Sequence, residues 1–218
     1  MTRWIFSVVL VTVLGVAPSG RAANLDQDLL AAADSNDLPQ VKDLLAKGAN
    51  ANARDGHGNT PLLLTSVITG NCDIARELLA KGAELSARNE SGQTAFYLAA
   101  RSGYPQLMEI LAAKGAEVNA RDIDGQNALM VALPLGKVEV IRFLLGHGAD
   151  VNMKDNTGTT ALMIASGEGN AGIVKALLAK GADVNAKNND GASALSMAAD
   201  RKRNEVVQLL KRAGAKPK

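Results

Sequence analysis

The sequence predicts an all-α repeat solenoid of about six stacked helix-turn-helix repeats joined by short β-hairpin loops. Three observations carry this. Gly-Ala pairs begin at Gly48, Gly82, Gly115, Gly148, Gly181 and Gly214, spaced 34, 33, 33, 33 and 33 residues apart. A leucine stands four residues before each pair, at Leu44, Leu78, Leu111, Leu144, Leu177 and Leu210. Aromatic residues make up only 3 % of the 218-residue chain, so its apolar surface must be buried in many small, similar contacts, as stacked repeats do.

Each column of the repeat has a physical reason. A second glycine set, Gly58, Gly92, Gly125, Gly158 and Gly191, follows Asp or Asn and completes a tight turn. Two residues later come Thr60, Thr94, Asn127, Thr160 and Ser193, which can accept from free N–H groups and start a helix. The apolar Leu62, Phe96, Leu129, Leu162 and Leu195 come two further on. The Gly-Ala pair ends the second helix, because glycine tolerates the positive φ of a helix stop. Alanines such as Ala99, Ala100, Ala198 and Ala199 let paired helices approach closely. The leucine column fills the continuous core.

The pattern resembles the ankyrin repeat, whose motif runs D-x-x-G-x-T-P-L-H, then an I-V-x-L-L run, then G-A-D-V-N-A. The fifth repeat reads Asp155 to Met163, then Ile173-Val174-Lys175-Ala176-Leu177-Leu178, then Gly181-Ala182-Asp183-Val184-Asn185-Ala186. The resemblance covers about residues 24–216 and implies an ankyrin repeat domain over 23–218. Its repeats run approximately 24–54, 55–88, 89–121, 122–154, 155–187 and 188–216. The family's His at the ninth position is replaced by Leu63, Tyr97, Met130, Met163 and Ser196, which implies more apolar packing and slightly looser turns. Residues 24–54 lack the turn motif, and the last repeat carries Lys202 where a mid-repeat glycine belongs, so both read as capping repeats.

Residues 1–22 read as an export signal. Arg3 precedes an apolar run from Ile5 to Val16, Pro18-Ser19-Gly20 breaks any helix, and Gly20-Arg21-Ala22 offers small residues for cleavage after Ala22. The run is shorter than the roughly 20 residues of a spanning helix, so no stable membrane insertion is expected once it is cut. The expected location is periplasmic or secreted.

Charge and chemistry exclude more than they suggest. Without the first 22 residues the chain has 22 basic and 22 acidic residues, lacking the excess that drives binding to nucleic acid. No metalloprotease helix, phosphate-binding glycine loop or nucleophile elbow occurs, so no enzyme activity and no cofactor are expected. His57 and His147 lie in different repeats. Asp122 and Asp124 share a turn, but two carboxylates fall short of a calcium site, and the pair reads as a polar turn. The basic column Arg54, Arg88, Arg121, Lys154 and Lys187 looks like a phosphate stripe. Each member is followed by Asp or Asn, which favours a solvated rim. Residues 23–43 carry a net −4 and residues 200–218 a net +5, read as capping charge. The single cysteine, Cys72, opens a second helix; it reads as packing, with a redox-responsive thiol as the alternative function.

What remains is protein binding by a monomer through the concave face. In the family, partners dock on the turn tips and the inner face of the first helices. The tips offer His57, Glu90, Ile123 and Asp124, and the first helices offer Val67, Ile68, Arg101 and Leu135. The second repeat has one extra residue near Val67-Ile68-Thr69, which either turns apolar groups towards the groove or buries them under the loop. Ile123 stands at an otherwise polar tip. Two partner classes stay open: an exported enzyme that the protein inhibits in the manner of an immunity protein, and envelope-stress machinery. Some exported bacterial ankyrin proteins resemble this chain and are associated with peroxide defence.

Overall fold

The structure is a computed structural model that describes the backbone of residues 19–216 and the side chains from residue 24 onward. Among the described residues, twelve helices form six pairs. They are α1 (Ser19–Asp34) with α2 (Leu38–Ala46), α3 (Pro61–Ile68) with α4 (Cys72–Ala80), and α5 (Ala95–Ser102) with α6 (Pro105–Ala113). The series continues with α7 (Ala128–Ala132) and α8 (Val138–Gly146), α9 (Ala161–Glu168) and α10 (Ala171–Ala179), and α11 (Ala194–Asp200) and α12 (Asn204–Arg212). First helices pack on first helices and second helices on second helices, giving two layers with one continuous core.

The columns set the helix boundaries. Thr60, Thr94, Asn127, Thr160 and Ser193 each accept from the backbone N–H three residues on, at 3.0–3.4 Å. The Gly-Ala pairs close the second helices. Each alanine donates to the carbonyl of the column leucine, as in Ala83 N to Leu78 O at 3.0 Å and Ala182 N to Leu177 O at 3.0 Å. That is the six-to-one bond of a Schellman stop, with glycine held at positive φ between. The leucine therefore has two tasks, supplying the stop's acceptor and filling the core. Leu78, Leu111, Leu144, Leu177 and Leu210 are fully buried.

Loop pairing is sparse. The hairpin loops close through a few backbone bonds each, such as Asp55 N to Asn59 O at 3.0 Å with Gly58 N to Asp55 O at 3.1 Å. Among the described residues, extended pairing is confined to isolated bridges at Lys154–Thr160 and Lys187–Ser193.

The repeats are stapled by two ladders. In the first, Arg54 Nη1 donates to Gly58 O at 2.9 Å in its own turn and to Arg88 O at 2.8 Å in the next repeat. Arg88 repeats this towards Gly92 and Arg121, Arg121 towards Gly125 and Lys154, and Lys154 Nζ ends it on Lys187 O. The column is exposed, as a solvated rim requires, and Arg54, Arg88, Arg121 and Lys154 in addition each donate to a backbone carbonyl of the next repeat. The second ladder uses Asn52, Asn119, Asn152 and Asn185. Each side chain donates to the Gly carbonyl of the next repeat and accepts the N–H two residues beyond that glycine.

Three local expectations are revised. Ser19 and Gly20 do not break the chain but begin α1, where the first N–H groups have no intrahelical partner in any case. Residues 1–18 of the leader lie outside the described residues, and the cut expected after Ala22 falls within α1. Ala199 is exposed, since α11 has no further repeat beside it. The ninth-position residues Leu63, Tyr97, Met130 and Met163 are buried, but Tyr97 also ties its turn to the next: its hydroxyl donates to Asp122 Oδ2 at 2.7 Å.

Candidate protein-binding surface

The eight candidate residues fall into two rows. His57, Glu90, Ile123 and Asp124 occupy successive turn tips. The tips are joined edge to edge by Glu90 N to His57 O at 3.1 Å, Ile123 N to Ser91 O at 3.1 Å and Asn156 N to Asp124 O at 2.9 Å. His57 and Glu90 face each other across 3.9 Å with both side chains largely in water, a pair of little energetic weight. Ile123 stands 63 % exposed, its backbone held by the tip bond while its side chain projects.

Val67, Ile68, Arg101 and Leu135 form the second row, at the far ends of the first helices. The extra residue of the second repeat falls in the three-residue link between α3 and α4, since α3 has the same eight residues as α5 and α9, and Val67 and Ile68 are left exposed rather than buried under it. Their carbonyls are capped from the next repeat, Val67 O by the Ser102 hydroxyl and Ile68 O by the Tyr104 hydroxyl, both at 2.9 Å. Gly70 makes this possible. A Cβ there would lie 2.3 Å from the Tyr104 ring, and the residue has φ +62°. In the fourth repeat α7 stops after five residues, because Pro134 has no N–H for the next rung and its ring collides with the preceding turn. Leu133 keeps the core place, and Leu135 is left 50 % exposed.

The rows are separated by the length of a first helix, roughly 12 Å for eight residues. Tyr97 links them in the third repeat. It lies four residues before Arg101 on one face of α5, and its hydroxyl reaches the Asp122 tip. Burial, followed by the bond to Asp122, pushes the Tyr97 hydroxyl well above its ordinary pKa, while Arg101 opposes and Asp124 adds to the shift. Tyr97 therefore stays a donor. Asp122 also accepts the N–H groups of Asp124 and Gln126, so its carboxylate is occupied as a turn organiser. Sequence reasoning missed the Tyr97–Asp122 bond; its signal was a hydroxyl-bearing residue in a column otherwise aliphatic or small.

The remaining singled-out residues have local partners. Cys72 is half-buried at the start of α4, with Sγ 3.7 Å from Gly70 O. His147 stacks on Phe143 at 3.8 Å and bonds its carbonyl through Nδ1. Arg201 pairs with Glu168 at 2.9 Å, and Arg203 Nε donates to Gly167 O at 3.1 Å, so these two cations of the last repeat hold it to the fifth. Among the described residues no group of three or more His, Cys, Asp or Glu could hold a metal ion, and no helix is long and apolar enough to cross a membrane.

Paired helices stacked at a fixed period, closed by turn tips along one edge, define a repeat-solenoid scaffold. The chain belongs to the ankyrin repeat family: the family model for ankyrin repeats matches in three overlapping copies, over residues 29–122, 86–155 and 129–218. Among solved structures it is similar to the ankyrin repeat domain of Bcl-3, described as a unique member of the IkappaB protein family. That match has a TM-score of 0.78 and 32 % identity, over 87 % of this chain and 86 % of that one. No curated protein sequence matches the chain. Ankyrin repeats are generally protein–protein interaction modules, and the fold is typically a non-catalytic scaffold.

Proposed function

We propose that this protein is exported and binds a protein partner outside the cytoplasm through repeats two to four. One observation carries the binding site: four of the five large exposed apolar side chains among the described residues, Val67, Ile68, Ile123 and Leu135, lie at the turn tips and first-helix ends of these repeats, as does Arg101. The scaffold explains its Leu, Gly and Ala columns without any partner, but gains nothing from leaving these groups in water. Covering them would recover roughly 25 cal/mol per Å² of apolar surface. Exposed apolar groups around an arginine are the usual make-up of an interface centre. Export rests on Arg3, the Ile5–Val16 run and the small residues before Ala23.

The test uses affinity capture from the extracytoplasmic fraction, followed by titration of the recovered partner. Ile123→Asp and Leu135→Ser should each weaken binding at least tenfold with little change in melting temperature. Undiminished affinity in both variants moves the site elsewhere. N-terminal sequencing of the exported protein should begin near Ala23, and an intact Met1 on a cytosolic protein ends the export reading.

A further inference from the structure

A second apolar feature lies in the other layer, at the seam between repeats four and five. The second helices align residue for residue, and the residue that faces the preceding repeat at the sixth position is Glu77, Ile110, Phe143, Ala176 or Leu209. The second position is Asp73, Gln106, Glu139, Gly172 or Glu205. α10 thus has the smallest residue in both columns, one turn apart on one face. Two side chains that would cover α8 are missing together.

The structure shows the consequence. Of the neighbouring second helices, α8 and α10 approach each other least, and between them lies a groove of about 600 Å³. α8 contributes Val138, Ile141 and Leu145, and α10 contributes Gly172, Ile173 and Ala176. Val138 is the large apolar residue left exposed on this layer. No acidic residue lines the groove. Its two cations, Arg142 and Lys180, form no ion pair among the described residues.

We propose that this groove binds a single-chain anionic amphiphile of the fatty-acid type. The polymethylene tail lies along Val138, Ile141, Ile173 and Ala176, and the carboxylate is held by Arg142 and Lys180. Charge selects the head: the groove lining holds two cations, Arg142 and Lys180, and no acid, so it favours an anion over a cation. Width selects the tail. Packed helices stand roughly 8–10 Å apart, whereas a helix is itself about 10–12 Å across. A slot opened by deleting two side chains between neighbours admits an alkyl chain, not a third helix. This site is separate from the Val67–Ile123–Leu135 surface and does not rest on it.

Titration of the ¹⁵N-labelled protein with dodecanoate, kept below its micelle concentration, tests the proposal. Amide shifts should be confined to residues 138–146 and 170–180. Dodecyltrimethylammonium, with the same tail and opposite head, should bind at least tenfold more weakly. Octanoate should also bind at least tenfold more weakly, since each methylene removed from water is worth roughly fourfold in affinity. Ala176→Leu restores a residue that α12 carries in this column, and Gly172→Gln restores one that α6 carries. Either should reduce dodecanoate affinity at least tenfold, and the second serves if the first fails to fold. Arg142→Glu should reduce it at least fivefold. The proposal is overturned if the shifts centre on Val67, Ile123 and Leu135, if the cationic amphiphile binds equally, or if the folded groove-filled variant binds like the parent.

Discussion

Ser86→Asn should stabilise the protein, because Ser86 is the one interruption in the asparagine ladder. Asn52, Asn119, Asn152 and Asn185 each make two bonds into the next repeat. For Asn119 these are Nδ2 to Gly148 O at 3.1 Å and Asp150 N to Oδ1 at 2.8 Å. Ser86 holds the equivalent place between repeats two and three, but its hydroxyl is too short to reach Gly115 and Glu117. A notch of about 230 Å³ lies there instead, lined by Glu84, Ser86, Arg88, Gly115 and Glu117 among others. Two neutral hydrogen bonds are worth about 0.5–1.5 kcal/mol each. The site is exposed and an asparagine rotamer must be ordered, so the lower end applies, about 1 kcal/mol net. In a domain of this size that is about 2–4 °C in melting temperature. Urea unfolding followed by circular dichroism reads the gain, with Asn119→Ser as the mirror experiment. It should lose what Ser86→Asn gains. If Asn119→Ser is neutral, the ladder contributes no net stability. If Asn119→Ser destabilises but Ser86→Asn does not stabilise, the seam between repeats two and three differs in geometry from its neighbours.

Three further predictions address other parts of the stack. Leu111→Ala and Leu144→Ala, each removing a fully buried side chain that also flanks a helix stop, should cost about 2–5 kcal/mol in urea unfolding. Lys202 holds φ +56° where repeats two to five have glycine, so Lys202→Gly should relieve strain and raise the melting temperature by a few degrees, for about 1 kcal/mol. The Asp55 carboxyl sits below its ordinary pKa of 3.8: burial opposes ionisation but is outweighed by bonds from the Asn59 side chain and the Asn59 and His57 backbone. A carboxyl with a lowered folded pKa stabilises above the unfolded value and loses that contribution as pH falls through the folded one. The gap in urea midpoint between parent and Asp55→Ala should therefore be widest near neutrality and shrink as the pH drops below about 4.

The helix pairs were legible because each column has one local physical cause. A threonine cap, a glycine stop and a leucine acceptor act within a single repeat, and their spacing is the evidence. Bonds between repeats were harder to see. Arg54 read only as part of a solvated rim because its second acceptor, Arg88 O, is 34 residues away, so its part in joining the repeats was not visible. The polar role of Tyr97 was hidden in the same way, since Asp122 belongs to the next turn. Absent side chains were the least visible. Gly172 and Ala176 carry no signal within their own repeat, and only the facing helix shows what they leave uncovered. The binding rows were legible only as exceptions: an isoleucine at a tip, and apolar residues where a helix ends.

Exceptions in a repeat protein are of two physical kinds, and a combined variant can separate them. Ser86 and Lys202 are places where a column residue is missing, and what is lost there is a bond or a relaxed backbone. Ile123 and Leu135 add apolar surface that makes no intramolecular contact worth its exposure. Stability in a solenoid is approximately a sum of repeat terms and nearest-neighbour interface terms. Ser86→Asn acts on the interface of repeats two and three, and Lys202→Gly acts inside repeat six, with no shared neighbour. Their gains should add within about 0.5 kcal/mol. The double variant should therefore gain about 2 kcal/mol in urea unfolding, as the sum of two estimates of about 1 kcal/mol each. It should bind the captured partner with unchanged affinity, since neither substitution touches Ile123, Arg101 or Leu135. Adding Ile123→Asp to it should remove binding and leave the gained stability in place. A double variant that loses affinity would show that the surface depends on looseness in the stack, and the separation of scaffold from site would be wrong.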